Sequence, residues 1–191
     1  MKALVAYHTQ YGNTGRVATA LGAGLKTAEI ETVVASVNKV ASGSLNQYDF
    51  VCLGGPTQYR TASEPMQEFL ETLTRVDLSG KAALAFDTRR DSRLAGSAAK
   101  YIEQALRKEG MMIIRQAPSA IMLKPELAKS KEDFENKAEW KEWRYRSERL
   151  QDGEETEFEW IGLQIGRKLM GLPFPAWAAG VQMASTPEGA D

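Results

Sequence analysis

One cysteine and one histidine are all that 191 residues offer in the way of soft metal ligands. Cys52 has no partner for a disulfide within the chain, and with His8 it makes no zinc-type ligand set, so the fold must stand without staples. A chain of this length can do so. It favours one domain and buries about 70% of the surface its unfolded form exposes. The lone thiol suits a reducing cytosol, which is the location expected. No run approaches about 18 consecutive apolar residues, and the apolar stretch after Lys2 is too short for a signal-peptide core, so neither a membrane span nor a secretion signal is expected. Excess charge is lacking too: a net charge of −1 and a pI near 6.0 argue against nucleic acid, which calls for a basic face.

What the chain does have is alternation of strand and helix patterns, the mark of an α/β domain with a parallel sheet and helices on both faces. Ala3 to Tyr7 is a nearly unbroken apolar run, as in a strand buried on both sides. From Val17 the apolar residues fall at helical spacing through Leu21 and Leu25, with Gly22 and Gly24 read as close-packing positions. Further strands are expected at Ile30 to Ala35, Phe50 to Gly55 and Ala82 to Phe86. A fifth runs from Met111 to Arg115 and resumes at Ala120 to Leu123 beyond Pro118. Met66, Phe69, Leu70 and Leu73 mark one helix face, with Ser63 as N-cap and Pro65 in the first turn. Ile102, Ala105 and Leu106 mark the next helix, which Gly110 closes. Cys52 sits mid-strand between Val51 and Leu53 and reads as a buried apolar residue without a redox role.

Three turns follow the first, third and fourth of these strands: Thr9 to Thr14, Pro56 to Tyr59, and Asp87 to Gly96. In a doubly wound sheet of order 2-1-3-4-5 those strands are neighbours, and their carboxyl ends surround the switch point where ligands bind. The first turn opens a helix. Its free N–H groups, about half a positive charge from the helix dipole, the Thr9 and Thr14 hydroxyls and the Asn13 amide suit a phosphomonoester. Neither G-x-x-x-x-G-K-[ST] nor a strand followed by G-x-G-x-x-G occurs. His8, at the end of the first strand, reads equally as a phosphate donor or an ordinary strand-end residue and is left outside the site.

The run Thr9-Gln10-Tyr11-Gly12-Asn13-Thr14 resembles the phosphate loop T/S-x-T-G-N-T of the flavodoxin family, with Tyr11 in place of the usual middle threonine. Gly55-Pro56-Thr57-Gln58-Tyr59 resembles the family's first flavin-ring loop. Asp87-Thr88-Arg89 with Gly96-Ser97-Ala98-Ala99 resembles the second, in the manner of the small prokaryotic flavodoxin-domain proteins. The resemblance covers Met1 to Leu123 and a final helix near Phe158 to Leu169. It implies a flavodoxin-like doubly wound five-stranded parallel sheet, order 2-1-3-4-5, with helices on both faces. It also implies FMN as cofactor, its phosphate on Thr9 to Thr14, with Pro56, Thr57, Gln58 and Tyr59 along one side of the ring and Asp87, Thr88 and Arg89 along the other. Tyr59 is the stacking candidate, while Ser92 or Leu94 stands where short-chain members place a second aromatic.

Charge near the ring departs from that family pattern. Arg60, Arg89, Arg90 and Arg93 stand against Glu64, Asp87 and Asp91, where short-chain flavodoxins keep acidic residues. A unit charge about 4 Å away is worth roughly 4 kcal/mol at an effective dielectric near 20, so one well-placed arginine would make the anionic, fully reduced flavin easier to reach. Arg60 occupies a turn where the family often has glycine, and a positive φ costs an L-residue about 1–2 kcal/mol. A peptide flip there is therefore expected to be disfavoured.

The expected organisation is a flavodoxin-like domain over residues 1–170, with an inserted segment at 124–153 and a mobile tail at 171–191. In the insertion, Trp140, Trp143, Ser147 and Leu150 are spaced to line one helix face, read either as packed on its own domain or as a homodimer or partner surface. The acidic run from Asp152 to Glu159 suits the start of the last helix. The leading expectation is electron transfer between cytoplasmic redox partners. The alternatives are an FMN-dependent NAD(P)H:quinone-type oxidoreductase acting on a small quinone-like acceptor, and a non-redox interaction module on the same fold.

Overall fold

The computed structural model of the chain describes residues 1–92, 94–125 and 129–173. Its framework is a sheet whose parallel strands are β1 (Lys2–Tyr7), β2 (Glu31–Ser36), β3 (Phe50–Gln58), β5 (Ala82–Arg90) and β7 (Ser119–Leu123). They lie in the order β2-β1-β3-β5-β7, which is the 2-1-3-4-5 order of the five main strands. Three short strands bring the sheet to eight: β4 (Thr61–Ala62) folds back on β3, β6 (Met112–Ile113) pairs with the start of β5, and β8 (Arg149–Leu150) adds an antiparallel edge to β7. The fifth strand is thus two pieces, β6 against Ala82 and Ala83 and β7 against Asp87 to Arg90. Pro118 lies between them, and a proline has no N–H to give to a ladder.

Apolar layers cover both faces. On one side α2 (Glu64–Leu73) and α3 (Ala98–Lys108) bury Met66, Leu73, Ile102 and Leu106 against Leu4, Leu53 and Ala83. On the other, α1 (Asn13–Thr27) and α5 (Glu154–Leu169) bury Leu21, Leu25, Phe158, Ile161 and Ile165 against Val5, Cys52 and Phe86. The two helices of this second layer touch backbone to backbone. A Cβ on Gly24 would stand 1.9 Å from the Glu159 carbonyl oxygen, which is why the Gly22-Ala23-Gly24 stretch is a packing surface. Cys52 is fully buried, and burial pushes its thiol well above the usual range.

Two strands run longer than their apolar segments. β3 continues through Gln58 and β5 through Arg90, carrying the polar residues read as loops into the sheet. Polarity ended the sequence reading at Gly55 and Phe86, but backbone pairing does not require apolar side chains. Thr57 and Gln58 pair with Ala62 and Thr61, and Asp87 to Arg90 pair with β7.

The inserted segment also differs from expectation. Its helix, α4 (Lys137–Arg146), ends before Ser147, and Leu150 lies on β8 instead. Trp140 and Trp143 share the helix, but Leu150 is buried in the core across Met122, where an edge strand offered both backbone partners and an apolar slot. None of α4's own residues is buried. Among the described residues no helix is long and apolar enough to cross a membrane. The tail read as mobile falls, beyond position 173, outside the described residues.

Candidate functional site

At the carboxyl ends of β1, β3 and β5 the chain opens a cavity of about 540 Å³. Its size is that of a small-molecule cofactor site, and its place is the switch point of the sheet. Thr9, Gln10, Tyr11, Asn13 and Thr14 form one wall, Pro56 to Arg60 a second, and Thr88, Arg89, Arg90 and Ala95 a third. Met122, Tyr145 and Glu148 close the remaining side.

The first wall is the turn into α1. Gly12, left-handed at φ 91°, is its N-cap, and the Gly12 amide donates to Thr9 Oγ1 at 3.0 Å. The amides of Asn13, Thr14 and Gly15 then open the helix, where no carbonyl exists one turn earlier to receive them. They supply the positive end of the helix dipole. Thr14 is buried, and its hydroxyl shares a 2.8 Å hydrogen bond with that of Thr88, tying the first wall to the third. Gln58 Nε2 donates to Gln10 Oε1 at 2.7 Å, and Gln10 Nε2 donates to the Tyr11 hydroxyl at 3.1 Å. This chain of amides links the first and second walls.

The second wall ends in a two-residue hairpin. Tyr59 and Arg60 connect β3 to β4, with φ of 47° and 72°. A tight hairpin of this kind needs positive φ at both central residues, usually supplied by Asn-Gly. Arg60 thus takes on the positive-φ cost in the hairpin itself. Tyr59 is 95% exposed, so none of the described residues covers its ring beside the cavity.

Not every expected residue faces the cavity. Gly12 lines a shallower groove between α1 and the start of α5, where Arg16 pairs with Glu155 at 2.5 Å. Asp87 is fully buried behind the third wall. Its Oδ2 accepts from Thr57 Oγ1 at 3.0 Å, Ser97 Oγ at 2.8 Å and the Ala99 amide at 3.0 Å. Asp87 thus holds the second wall to the N-terminus of α3; it is not among the residues lining the cavity, and its Oδ1 is buried without a partner. Ser63 occupies the N-cap of α2 as expected, but its hydroxyl makes no cap bond and lies 2.8 Å from His8 Nδ1. Burial lowers the His8 pKa below its ordinary value.

Tyr145, Glu148 and Met122 were not foreseen. The first two belong to the inserted segment, and the only signal for their return was an apolar Leu150 placed just before the acidic helix start. Arg90 Nε donates to Glu148 Oε1 at 2.6 Å, and its guanidinium lies 5.1 Å from the centre of the Tyr145 ring. Asn13 Nδ2 donates to the Glu148 carbonyl at 3.1 Å.

The cavity is cationic. Arg60, Arg89 and Arg90 line it against the single carboxylate of Glu148, which Arg90 neutralises. Arg89 Nη1 is 3.4 Å from the Gly96 carbonyl oxygen, while its buried Nε has no partner. Arg93 lies outside the described residues.

A parallel sheet of this order with three walls meeting at its switch point defines a doubly wound α/β protein with a cavity suited to a phosphate-bearing ligand. The sequence matches the family model described as the flavodoxin domain over residues 4–138, and the chain belongs to that family. A flavodoxin of Clostridium saccharobutylicum is 29% identical over 89 residues, a stretch covering 46% of this chain and 56% of that protein. The chain thus matches little more than half the length of that curated relative. In three dimensions it is similar to a flavodoxin from the domain Archaea, with a TM-score of 0.67 at 24% identity, covering 89% of this chain and 99% of that one. The oxidised flavodoxin 1 of Bacillus cereus gives a TM-score of 0.62 at 17% identity, covering 91% and 100%. At such identities the structural likenesses carry the fold alone.

FMN is the cofactor this family implies, and the donor set fits it. A helix terminus with open amides suits the phosphate. Threonine hydroxyls, the Gln10 and Asn13 amides and the unpartnered Arg89 Nε suit a ligand rich in oxygen and nitrogen acceptors.

Proposed function

We propose that this chain is an FMN-dependent electron carrier working between redox partner proteins in the cytoplasm. The observation that carries the reading is the convergence of a helix N-terminus and two further strand ends on one cavity of about 540 Å³. Bound FMN supplies one- or two-electron transfer, and the protein supplies position and electrostatics. Thr9 to Thr14 hold the phosphate. Pro56 to Tyr59 and Thr88 to Arg89 bound the space for the ring, and Asp87 fixes Thr57 from behind. Among the described residues that line the cavity there is no cysteine, histidine, serine or lysine, which suits a protein whose partners exchange electrons and not groups.

The cationic lining favours a second reading, an FMN-dependent NAD(P)H:quinone-type oxidoreductase. Arg60 and Arg89, without a carboxylate partner in the cavity, stabilise the anionic, fully reduced cofactor and so favour two-electron delivery. Titration of the apoprotein with FMN, riboflavin and FAD, followed through the flavin absorbance, tests the common ground. Tight FMN binding with much weaker riboflavin binding is expected, and failure to bind any flavin overturns both readings. Oxidation of NAD(P)H by the FMN-loaded protein with a quinone, in the absence of a separate reductase, selects the second reading. A requirement for that reductase selects the first.

A further inference from the structure

The inserted segment returns to the cavity at one place only along its helix, the C-terminal end, and what it brings there is specific. Glu148 is nearly buried, with 10% of its side chain exposed, and it meets Arg90 through both Nε and Nη2. Its backbone carbonyl takes the Asn13 amide from the phosphate turn. One residue of the insertion therefore grips two of the three walls. Immediately behind it, β8 pairs with β7, the Gln151 amide donates to the Ile121 carbonyl at 2.9 Å and Leu150 is buried in the core. The position of Glu148 is thus set by the sheet.

Tyr145 lies in the last turn of α4, and Glu148 follows just beyond the helix end, its amide donating to the Tyr145 carbonyl at 3.3 Å. Its ring packs over the Arg90 guanidinium that Glu148 holds in place, and it lines the cavity with 43% of its surface exposed. A cation–π contact fixes the plane of an aromatic ring as well as its distance. A further aromatic surface of the cavity, beside those of Tyr11 and Tyr59, comes from the insertion.

Resting on the reading of this cavity as the FMN site, we propose that Tyr145 is a wall for the flavin's ring and that Glu148, acting through Arg90, is its positioning residue. Binding of the ring is then coupled to the inserted helix, and the insertion is part of the cofactor site.

The test compares FMN and riboflavin, which share the ring and differ in the phosphate, by quenching of flavin fluorescence on binding. Tyr145→Ala is expected to weaken both by the same factor, roughly three- to tenfold, the range of an aromatic contact, and Tyr145→Phe to restore both. Because Tyr145 is partly exposed, the urea midpoint of the apoprotein should barely move. Glu148→Ala should weaken both ligands as well, while the double variant should bind no more weakly than Tyr145→Ala alone, since Glu148 acts by placing Tyr145. Unchanged affinity for both flavins in Tyr145→Ala overturns the proposal. Loss for FMN alone also overturns it, because the effect would then run through the phosphate turn. Additive losses in the double variant overturn the positioning role of Glu148. Absence of flavin binding by the wild-type chain would instead remove the proposed function on which the inference rests.

Discussion

Arg60 and Gly96 lie backbone against backbone: they form a parallel β-bridge, and a Cβ on Gly96 would stand 2.5 Å from the Arg60 Cα. Both are left-handed, at φ 72° and 74°. The hairpin that carries Tyr59 and the turn that leads into α3 are therefore one unit at the mouth of the cavity. The left-handed cost at Tyr59 and Arg60, about 1–2 kcal/mol for each non-glycine residue, is sustained by this contact and by the Thr57–Ala62 pairing.

Gly96→Ala should separate the two. No real Cβ fits in that space, and the residue would also have to hold a positive φ, so a loss of about 2–3 kcal/mol is expected in urea unfolding. FMN affinity should fall with it, because Tyr59 and Arg60 lose their support. Unchanged stability together with unchanged FMN affinity would show that the contact is not needed.

Arg89→Gln addresses the charge of the cavity. Replacing a cation whose Nε is buried without a partner removes stabilisation from the more anionic form of the cofactor. The fully reduced cofactor should then bind about tenfold more weakly relative to the oxidised one, which lowers the two-electron midpoint by roughly 30 mV. Potentiometry of the FMN-loaded variant against wild type measures this. A midpoint that rises or stays fixed would place the Arg89 charge where the ring does not sense it.

Much of this architecture was legible because burial leaves a pattern. The alternation of strands and helices follows from apolar runs at Ala3, Phe50 and Ala82 separated by helical spacing at Leu21, Met66 and Ile102; the order 2-1-3-4-5 came with the resemblance, and the cavity follows from where those strands end. Asp87 was harder to place. A carboxylate at a strand end is read as facing ligand, and only the structure reveals Ser97 and the Ala99 amide turned toward it from α3. The hairpin was hidden for a related reason. Tyr-Arg carries none of the Asn-Gly signal, so its left-handed backbone is imposed by tertiary contacts such as Gly96. Tyr145 was out of reach, since a charged helix in an insertion gives no sign of which end returns to the sheet.

Asp87→Ala should be among the most damaging changes in the molecule. It strands the hydroxyls of Thr57 and Ser97 and the Ala99 amide at a buried helix N-terminus, for an expected loss of about 2–4 kcal/mol. Asp87→Asn should cost less, because an amide oxygen in the place of Oδ2 still accepts all three donors. Urea midpoints in the order wild type, Asn, Ala are expected. An Asn variant as unstable as the Ala variant would show that charge, and not hydrogen bonding, holds the junction.

His8 makes the acid behaviour of the fold measurable, because it is the only histidine in the sequence and gives one set of ring signals in a proton NMR spectrum. Its Nδ1 faces the Ser63 hydroxyl at 2.8 Å, and burial lowers its pKa below 6.5. Above pH 6.5 the ring is neutral in both folded and unfolded chains and contributes no pH dependence. As pH falls below 6.5, the unfolded chain takes up a proton that the folded chain resists, so stability declines. The decline stops once the pH passes the lowered folded value. An NMR midpoint below 6.5 is therefore expected, together with a loss of stability between pH 6.5 and that midpoint which is missing from His8→Gln. A ring that titrates at or above 6.5, or a variant with the same slope as wild type over that interval, would mean that burial leaves the His8 proton unopposed.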